Sequence, residues 1–411
     1  MTPTARTTDV AALALEYGDR LVLGTVRDVH TAVAHRVFGA TRIVGSRVPE
    51  AIHDAVAGSV YGSLSRVLRA SGTAARSMAA RGVGAPVEGS RVGRQVRSAV
   101  NGLVGDELRL MGDPQAITMS LRRDGTDIAA TPWKLRQAYP DATGHLVVLV
   151  HGLCENDESW LRRGPSVTYA ERIAADTEAT TVLLRYNTGL HVSENGQHLD
   201  ELLEQVVANW PVAVHRITLV GHSMGGLVVR AATNRATVAG HLWPHRVGDV
   251  VCLGTPHAGA NLEKAAHLGS RMLRFWPQST PFGAILDSRS AGIVDLRHGY
   301  ISADDWEGQD LTARWGLDRI AAAPLAHAEY HFVAATVGAG RWHPLSAALG
   351  DLIVHFSSAA GIGRDGPVAQ AARLEYLPSA HHFALLNHPR VGDWLVAWIN
   401  AKPRQTRRLG S

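Results

Sequence analysis

The pentapeptide Gly221-His222-Ser223-Met224-Gly225 carries the side chain best suited to covalent chemistry in this chain. It follows the apolar run Ile217–Val220, which is typical of a buried strand, and residues 227–231 after it suit a helix. A serine on such a sharp strand-to-helix turn holds its hydroxyl above the sheet. A Cβ at either flanking glycine would collide with a neighbouring strand or helix. The motif in this context predicts a nucleophilic serine.

A serine nucleophile needs donors for the negative charge that develops on the tetrahedral intermediate. One donor is the backbone N–H after the nucleophile, here Met224, and the other belongs to a loop after an earlier strand. His151-Gly152-Leu153 follows the apolar run Leu146–Val150, so we predict Leu153 N–H as the second donor. Gly152 lets the backbone approach a substrate. We interpret His151 as a packed residue that orders this loop.

The serine also needs a base, and the base needs an orienting acid. In this strand-turn-helix class the chain order is serine, acid, histidine, with the histidine after the last strand. The last predicted strand is Leu374–Leu377, and both His381 and His382 follow it. Spacing alone therefore leaves two candidates for the base.

Two aspartates occupy the interval in which the acid is expected. Asp351 and Asp365 both lie between the predicted strands Phe332–Ala335 and Leu374–Leu377. Asp351 also precedes an apolar run, where an aspartate can serve as a helix N-cap. On order and position we favour Asp351 as the acid.

The candidate residues follow short apolar runs that alternate with helical stretches along the chain. This alternation indicates a mostly parallel sheet covered by helices on both faces. Asp124-Gly125 predicts a hairpin turn before it, and residues 258–325 contain no clear strand, which predicts an insertion above the sheet. The predicted strands are Leu146–Val150, Thr181–Leu184, Ile217–Val220, Val250–Leu253, Phe332–Ala335 and Leu374–Leu377.

Residues 1–110 are predicted to form a helical extension, with a linker at 82–94. They contain 14 Arg, no Lys and 9 acidic residues, a net charge of +5 within a chain of +4. We interpret this excess as a solvated face and predict no nucleic-acid partner, while peripheral contact with a membrane or storage granule stays an alternative. Apolar residues at helical spacing are Val22, Val26, Val29, Val33 and Val37, then Ile52, Val56, Val60, Leu64 and Val67.

Several segments together resemble bacterial lipases and esterases similar to the lipase domain of the eukaryotic GPI inositol-deacylase. The resemblance covers about residues 115–400 and implies an α/β-hydrolase fold: a helix-flanked, mostly parallel sheet with a cap-like insertion at 258–325. We predict domains at 1–110 (extension) and 111–403 (catalytic), with a tail at 404–411. The segments are His151–Asp157, Tyr186–Gly189, Ser193–Gly196, Gly221–Gly226, Gly254–His257 and Ser290–Arg297.

The resemblance implies specific choices among the candidate residues. The family's base directly precedes a bulky apolar residue, which favours His382 over His381 because Phe383 follows it. The family's acid lies in a Gly-Asp-Gly-Leu-Val-Pro-like turn, and Asp351 is the residue that matches. Leu352 and His355 replace the usual Gly and Pro of that turn.

Other classes of protein are disfavoured by the sequence. The two cysteines, Cys154 and Cys252, form neither a disulfide framework nor a zinc site. No metal-binding H-E-x-x-H and no nucleotide-binding glycine loop is present, so we expect no cofactor and no metal. No signal peptide or membrane-spanning run is visible, and the expected location is the cytoplasm.

The sequence is compatible with two classes of function. The first is hydrolysis of carboxylic esters by Ser223, Asp351 and His382, with Leu153 and Met224 as oxyanion donors and a lipid-like or small ester as substrate. The same residues would serve acyl transfer, or cleavage of polyesters and amides. The second is a non-catalytic binding protein at a membrane or granule, which would tolerate a degenerate triad. The sequence does not indicate an oligomeric state.

Overall fold

The computed structural model describes residues 6–17, 48–162, 167–260, 290–306, 323–343, 346, 350–363 and 366–401. One eight-stranded sheet organises this part of the chain, in the order β10-β7-β6-β5-β3-β4-β1-β2. A small hairpin, β8–β9, stands apart. The strands are β1 (Ser120–Arg123), β2 (Thr126–Ile128), β3 (His145–Val150), β4 (Thr180–Arg185), β5 (Arg216–His222), β6 (Val247–Leu253), β7 (Glu329–Thr336), β8 (Ile362–Gly363), β9 (Gly366–Pro367) and β10 (Arg373–Pro378).

Strands β3 to β7 and β10 are all parallel, whereas β1 is antiparallel to both β2 and β4. Every strand predicted from an apolar run is confirmed, with one to four extra residues in each. The Asp124-Gly125 hairpin is also confirmed, because it joins β1 to β2 with both residues at positive φ. The carboxyl ends of the parallel strands share one edge of the sheet, so the loops after them meet there.

Ten α-helices accompany the strands in the described residues. They are α1 (Thr7–Tyr17), α2 (Val48–Ala80), α3 (Arg91–Leu110), α4 (Pro132–Ala138), α5 (Tyr169–Asp176), α6 (Val192–Asn209), α7 (Met224–Ala239), α8 (Ala291–His298), α9 (Phe356–Ala359) and α10 (Pro389–Asn400). None of the helices described here is long and apolar enough to span a membrane.

Helices cover both faces of the sheet, and strand β3 shows how. Val148 and Val150 pack into a core with α6, α7 and α8, whereas Val147 and Leu149 pack into a core with α5 and α10. All four side chains are fully buried. Burial on both faces explains why these strands read as continuous apolar runs rather than as alternating patterns.

The described part of the insertion consists of residues 258–260, 290–306 and 323–325, and it contains α8 but no strand. Gly292 of α8 lies so close to Thr188 O that an added Cβ would overlap it, and that Cβ would lie 3.0 Å from Met224 Cε. Helix α8 therefore lies above the start of α7. The insertion's apolar residues Leu273, Phe275, Trp276 and Phe282, which the sequence suggests as a cap over an apolar pocket, lie outside the described residues.

The N-terminal region differs in detail from the predicted extension. Helix α2 includes residues 52–67, as predicted, but Val22–Val37 lies outside the described residues. The predicted linker 82–94 is too long, because α3 begins at Arg91, where the Ser90 side chain accepts a hydrogen bond from Gly93 N–H. This capping interaction starts a helix within a Gly- and Arg-rich stretch. The domain boundary at 110/111 stays a prediction.

A cluster of charged side chains joins the N-terminal region to the sheet. Glu88 accepts hydrogen bonds from Arg97 at 2.5 Å, Arg185 at 2.7 and 2.8 Å and Arg122 at 3.2 Å. Asp127 pairs with Arg122 at 2.6 Å and with Arg185 at 3.1 Å. Among the arginines of residues 1–110, Arg97 belongs to this cluster and Arg94 pairs with Glu158, so these two are paired internally rather than solvated.

Replacing Glu88 with Gln tests this cluster. Burial would raise the pKa of Glu88, but Arg185 and Arg97 together lower it below its usual value. The carboxylate therefore stabilises the fold at neutral pH, and we expect Glu88→Gln to lower the free energy of unfolding by about 1–3 kcal/mol in urea titrations. The difference from wild type should vanish as the pH falls through the lowered pKa.

The control for this experiment is Glu16→Gln. Glu16 pairs with Arg76 across α1 and α2, and both side chains are about half exposed. Exposed pairs of this kind contribute about 0–1 kcal/mol, so the control should change stability little. Equal losses from both variants would contradict the role assigned to Glu88.

Candidate active site

Ser223 occupies a strained turn between β5 and α7. Its backbone has φ 52° and ψ −122°, and its N–H donates to Leu253 O at 2.9 Å. A Cβ at Gly221 would overlap Gly226, and one at Gly225 would overlap Val150 O of the adjacent strand. The turn therefore exists because glycine stands at both flanking positions, as the sequence analysis predicts. A non-glycine residue at such a φ costs about 1–3 kcal/mol and is found mainly at functional sites.

The predicted oxyanion donors lie on either side of this turn. Leu153 belongs to the loop after β3, and Met224 is the first residue of α7. Within the described residues, neither N–H has an acceptor of its own, which leaves both available to a ligand. A Cβ on Gly152 would lie 3.1 Å from Ser223 Cβ, so this loop runs directly beside the nucleophile candidate.

His151 is packed beneath the loop, in agreement with its predicted role. Its ring is fully buried and stacks on Tyr186, with ring centroids 4.4 Å apart. Its Nδ1 lies 2.9 Å from Gly152 O, and the Tyr186 hydroxyl donates to His151 O at 2.7 Å. Burial lowers the pKa of His151 to about 4, so the ring is neutral and orders the loop without carrying charge.

His382 and Asp351 form a buried pair at the same edge of the sheet. His382 Nδ1 lies 2.7 Å from Asp351 Oδ2, and His382 N–H donates to Asp351 O at 3.0 Å. Asp351 Oδ1 accepts from the N–H groups of Ile353 and Val354, so the carboxylate is held in one orientation. The buried His382 Nε2 has no partner among the described residues. A proton on Nδ1 leaves Nε2 free to accept one.

Neighbours of Ser223 in the fold contact His382. Ser223 N–H bonds to Leu253, and a Cβ on the next residue, Gly254, would lie 3.1 Å from His382 Cε1. His222 directly precedes Ser223, and the centroid of its ring lies 4.8 Å from the centroid of the His382 ring. Burial lowers the pKa of His382, but the charge and hydrogen bond of Asp351 outweigh this effect and raise it.

The competing candidates do not share this environment. His381 is exposed, and it is His382 that contacts Asp351. Asp365 lies outside the described residues. The altered turn noted in the sequence is visible as strain, because Leu352 adopts a φ of 92° at the position where the resembling sequences carry glycine. Asp351 therefore keeps its hydrogen bonds although the residue after it is unsuited to the turn.

Glu155, which has no role predicted from the sequence, contacts both the loop after β3 and His222 at the end of β5. Glu155 Oε2 accepts from Gly152 N–H at 2.7 Å and lies 3.1 Å from His222 Nδ1. His222 Nε2 in turn lies 3.3 Å from His382 O. Burial would raise the pKa of Glu155, but His222, Gly152 N–H and Arg162 lower it to about 2. The only sequence signal was its place in the segment His151–Asp157.

Glu155 therefore adds a second buried negative charge near His382. Its charge contributes to the raised pKa of His382, after the larger effects of burial and Asp351. In the described residues no group of three His, Cys, Asp or Glu side chains is arranged to hold a metal ion. A serine hydroxyl and an imidazole with a free ring nitrogen at one edge of the sheet can support nucleophilic attack and proton transfer.

Replacing Glu155 with Gln tests the electrostatic part of this description. Gln keeps an acceptor for Gly152 N–H and removes the charge, so the pKa of His382 should fall. The change is measured by NMR titration of the His382 ring, whose signal is assigned by its loss in His382→Gln. Glu178→Gln removes an exposed carboxylate at the opposite edge of the sheet and should leave this pKa unchanged. An unchanged or raised pKa in Glu155→Gln would contradict the description.

Comparisons with known proteins agree with the fold and with the resemblance. Residues 141–314 match the family model described as "PGAP1-like alpha/beta domain". No curated protein matches the chain. Solved structures that are similar include lipases, esterases and a thioesterase.

The similarity to these structures is distant. Bacillus licheniformis lipase BlEst2 is 17% identical, with 61% of this chain and 91% of that chain covered and a TM-score of 0.39. The thioesterase RedJ from Streptomyces coelicolor is 17% identical, with coverage of 63% and 91% and a TM-score of 0.38. The predicted α/β-hydrolase fold class is confirmed, and residues 141–314, which include Ser223, resemble the PGAP1-like alpha/beta domain.

Proposed function

We propose that this protein hydrolyses carboxylic esters through a covalent acyl-enzyme on Ser223. The observation that carries the proposal is the buried His382–Asp351 pair, whose Nε2 has no partner among the described residues, at the same edge of the sheet as a serine in a strained, glycine-flanked turn. A triad is recognised by such geometry and roles rather than by sequence position. The motif resemblance to lipases and esterases supports an ester as the substrate.

In the proposed reaction, Ser223 Oγ attacks the acyl carbonyl carbon while His382 Nε2 takes the hydroxyl proton. The carbonyl oxygen becomes negatively charged and accepts hydrogen bonds from Leu153 and Met224 N–H. The tetrahedral intermediate then collapses, and the leaving alcohol departs with the proton that His382 returns. Water repeats these steps on the acyl-enzyme and releases the acid. Asp351 keeps the Nδ1 proton in place and stabilises the imidazolium.

The environment of the site suits this chemistry because the three side chains are shielded from bulk solvent. Ser223, Asp351 and His382 are all buried, and Asp351 is fully so. In a low-dielectric site, fixed N–H donors stabilise a developing oxyanion far more than they would in water. We infer an apolar acyl chain, aliphatic or lipid-like, from the apolar residues predicted for the insertion.

Turnover of p-nitrophenyl esters from acetate to palmitate tests the proposal. We expect Ser223→Ala to lower kcat by at least about a thousandfold with its thermal unfolding essentially unchanged, since the nucleophile is lost and the core is kept. Adding a primary alcohol and analysing products separates hydrolysis from acyl transfer. Near-wild-type turnover by Ser223→Ala would rule out the mechanism. Absence of turnover in wild type on any ester would favour the binding-protein alternative.

The assignment of the base is tested by four variants on one short-chain ester. His382→Ala should lose activity nearly as completely as Ser223→Ala. Combining the two substitutions should lower kcat little further, since triad members act as a unit. Asp351→Asn should also be severely impaired because it favours the wrong imidazole tautomer. The matched control is His381→Ala, which should keep most of its kcat. Loss of activity in the control with retention in His382→Ala would move the base by one residue.

A further inference from the structure

Helix α3 of the N-terminal region contacts three separate segments around the candidate site. They are the loop that contains Leu153, the loop 187–190 after β4, and the start of α8 in the insertion. The buried residues of α3 are mostly small or polar: Ser98, Asn101, Gly102, Val104, Gly105 and Leu108. The helix also precedes the segment that matches the family model, so the family comparison does not account for it.

The first contact holds the residue that follows the predicted oxyanion donor. Cys154 N–H donates to Thr188 Oγ1 at 3.1 Å, and its Sγ lies 3.7 Å from Ala99 O in α3. A Cβ on Gly102 would overlap Cys154 Sγ and would lie 3.1 Å from both Cys154 N and Thr188 Oγ1. Cys154 has a φ of 59°, so its backbone is strained and depends on these neighbours. The position of Leu153 N–H is therefore coupled to α3.

The second contact brings two backbones together beside this loop. A Cβ on Gly189 would overlap Asn101 O, and one on Gly105 would overlap the Asn187 side chain. Asn187 Nδ2 donates to Gly105 O at 2.9 Å. Here α3 is kinked, because Val104 has φ −145° and ψ 21°. Gly105 in α3, Gly189 in the loop and the kink in α3 let the backbones of the helix and the loop come closer together than larger residues would permit.

The third contact links α3 to the insertion. Ser290 Oγ donates to Gly102 O at 2.9 Å, and Ala291 N–H donates to Asp106 Oδ2 at 2.9 Å. Ser290 is the N-cap of α8, so α3 provides the partners for the start of that helix. Since Gly292 packs on Thr188 O and beside Met224 Cε, the helix that α3 holds lies against the side chain of Met224, whose N–H is the second predicted oxyanion donor.

We propose that α3 is a positioning element of the active site, which sets the oxyanion loop through Cys154 and holds α8 above Met224. The proposal rests on the ester-hydrolase function and extends it to the N-terminal region. Oxyanion donors act on the transition state more than on the bound substrate. A displaced donor loop should therefore lower kcat and change KM little.

Replacing Gly102 with Ala tests the proposal in the full-length chain. The added methyl group must displace Cys154, and we expect kcat to fall at least about tenfold, since losing one oxyanion donor outright costs about 100- to 1,000-fold. KM should change less than about threefold. Gly62→Ala in α2 is the matched control, because its Cβ would have no neighbour within 4 Å. It should keep the wild-type kcat.

A second substitution separates local displacement from general damage. In the Cys154→Ala background the overlapping sulfur is gone, so adding Gly102→Ala should cost at most about threefold in kcat. Thermal unfolding of each variant shows whether it is folded. A general loss of folding would not be relieved by Cys154→Ala, and an undiminished cost in that background would overturn the proposal.

The contact with α8 is tested through Asp106. Asp106→Ala removes the acceptor for Ala291 N–H and should lower kcat several-fold, while Asp106→Asn keeps an oxygen at that position and should recover most of it. The proposal is overturned if Gly102→Ala keeps the kcat of Gly62→Ala or changes only KM. It is also overturned if Asp106→Asn and Asp106→Ala have the same kcat. An inactive wild-type enzyme, or an active Ser223→Ala variant, would instead refute the proposed function itself.

Discussion

The left-handed conformation of Ser223 is the constraint on which the rest of the site depends. A serine keeps this strained backbone conformation only where the packing around it fixes the backbone. Here Gly221 and Gly225 allow β3, β5 and α7 to approach so closely that larger residues at either position would overlap their neighbours. Because β5 is an interior strand with parallel partners on both sides, the strained turn is supported by the best-buried part of the fold.

Buried charge is the second feature that shapes the site. Asp351 and Glu155 are both buried near His382, and each has hydrogen-bond donors that compensate for the loss of water. Removing a partner from such a group leaves an uncompensated charge, which is expensive in a low-dielectric interior. The arrangement therefore stabilises an imidazolium at His382 and at the same time ties the loops after β3, β5, β7 and β10 to one another.

Much of the sheet and several site residues were predictable because local sequence patterns encode them. Strands buried on both faces appear as apolar runs, and Gly221–Gly225 marks a turn that few backbones adopt. The preference for Asp351 and His382 came from strand order together with the resemblance, and the structure brings those two residues together. The roles of all five predicted site residues stay predictions that need activity measurements.

Contacts between residues far apart in the chain could not be predicted from the sequence. Glu155 and His222 are 67 positions apart, and only the neighbouring strands β3 and β5 bring them together. The docking of α3 was missed for a different reason. The part of its buried face that contacts the candidate site includes Asn101, Gly102 and Gly105, small or polar residues that an apolar pattern does not mark. The pairing of its arginines likewise depends on Glu88 and Glu158, whose positions follow from the fold.

The central claim is that Ser223 is the nucleophile, and covalent trapping tests it most directly. The protein is incubated with an alkyl p-nitrophenyl phosphonate, and the adduct is located by mass spectrometry of proteolytic peptides. The account predicts a single phosphonyl group on Ser223, formed with loss of p-nitrophenolate and slowed strongly in His382→Ala. An adduct on a different serine, or no adduct in a folded protein that hydrolyses esters, would contradict it.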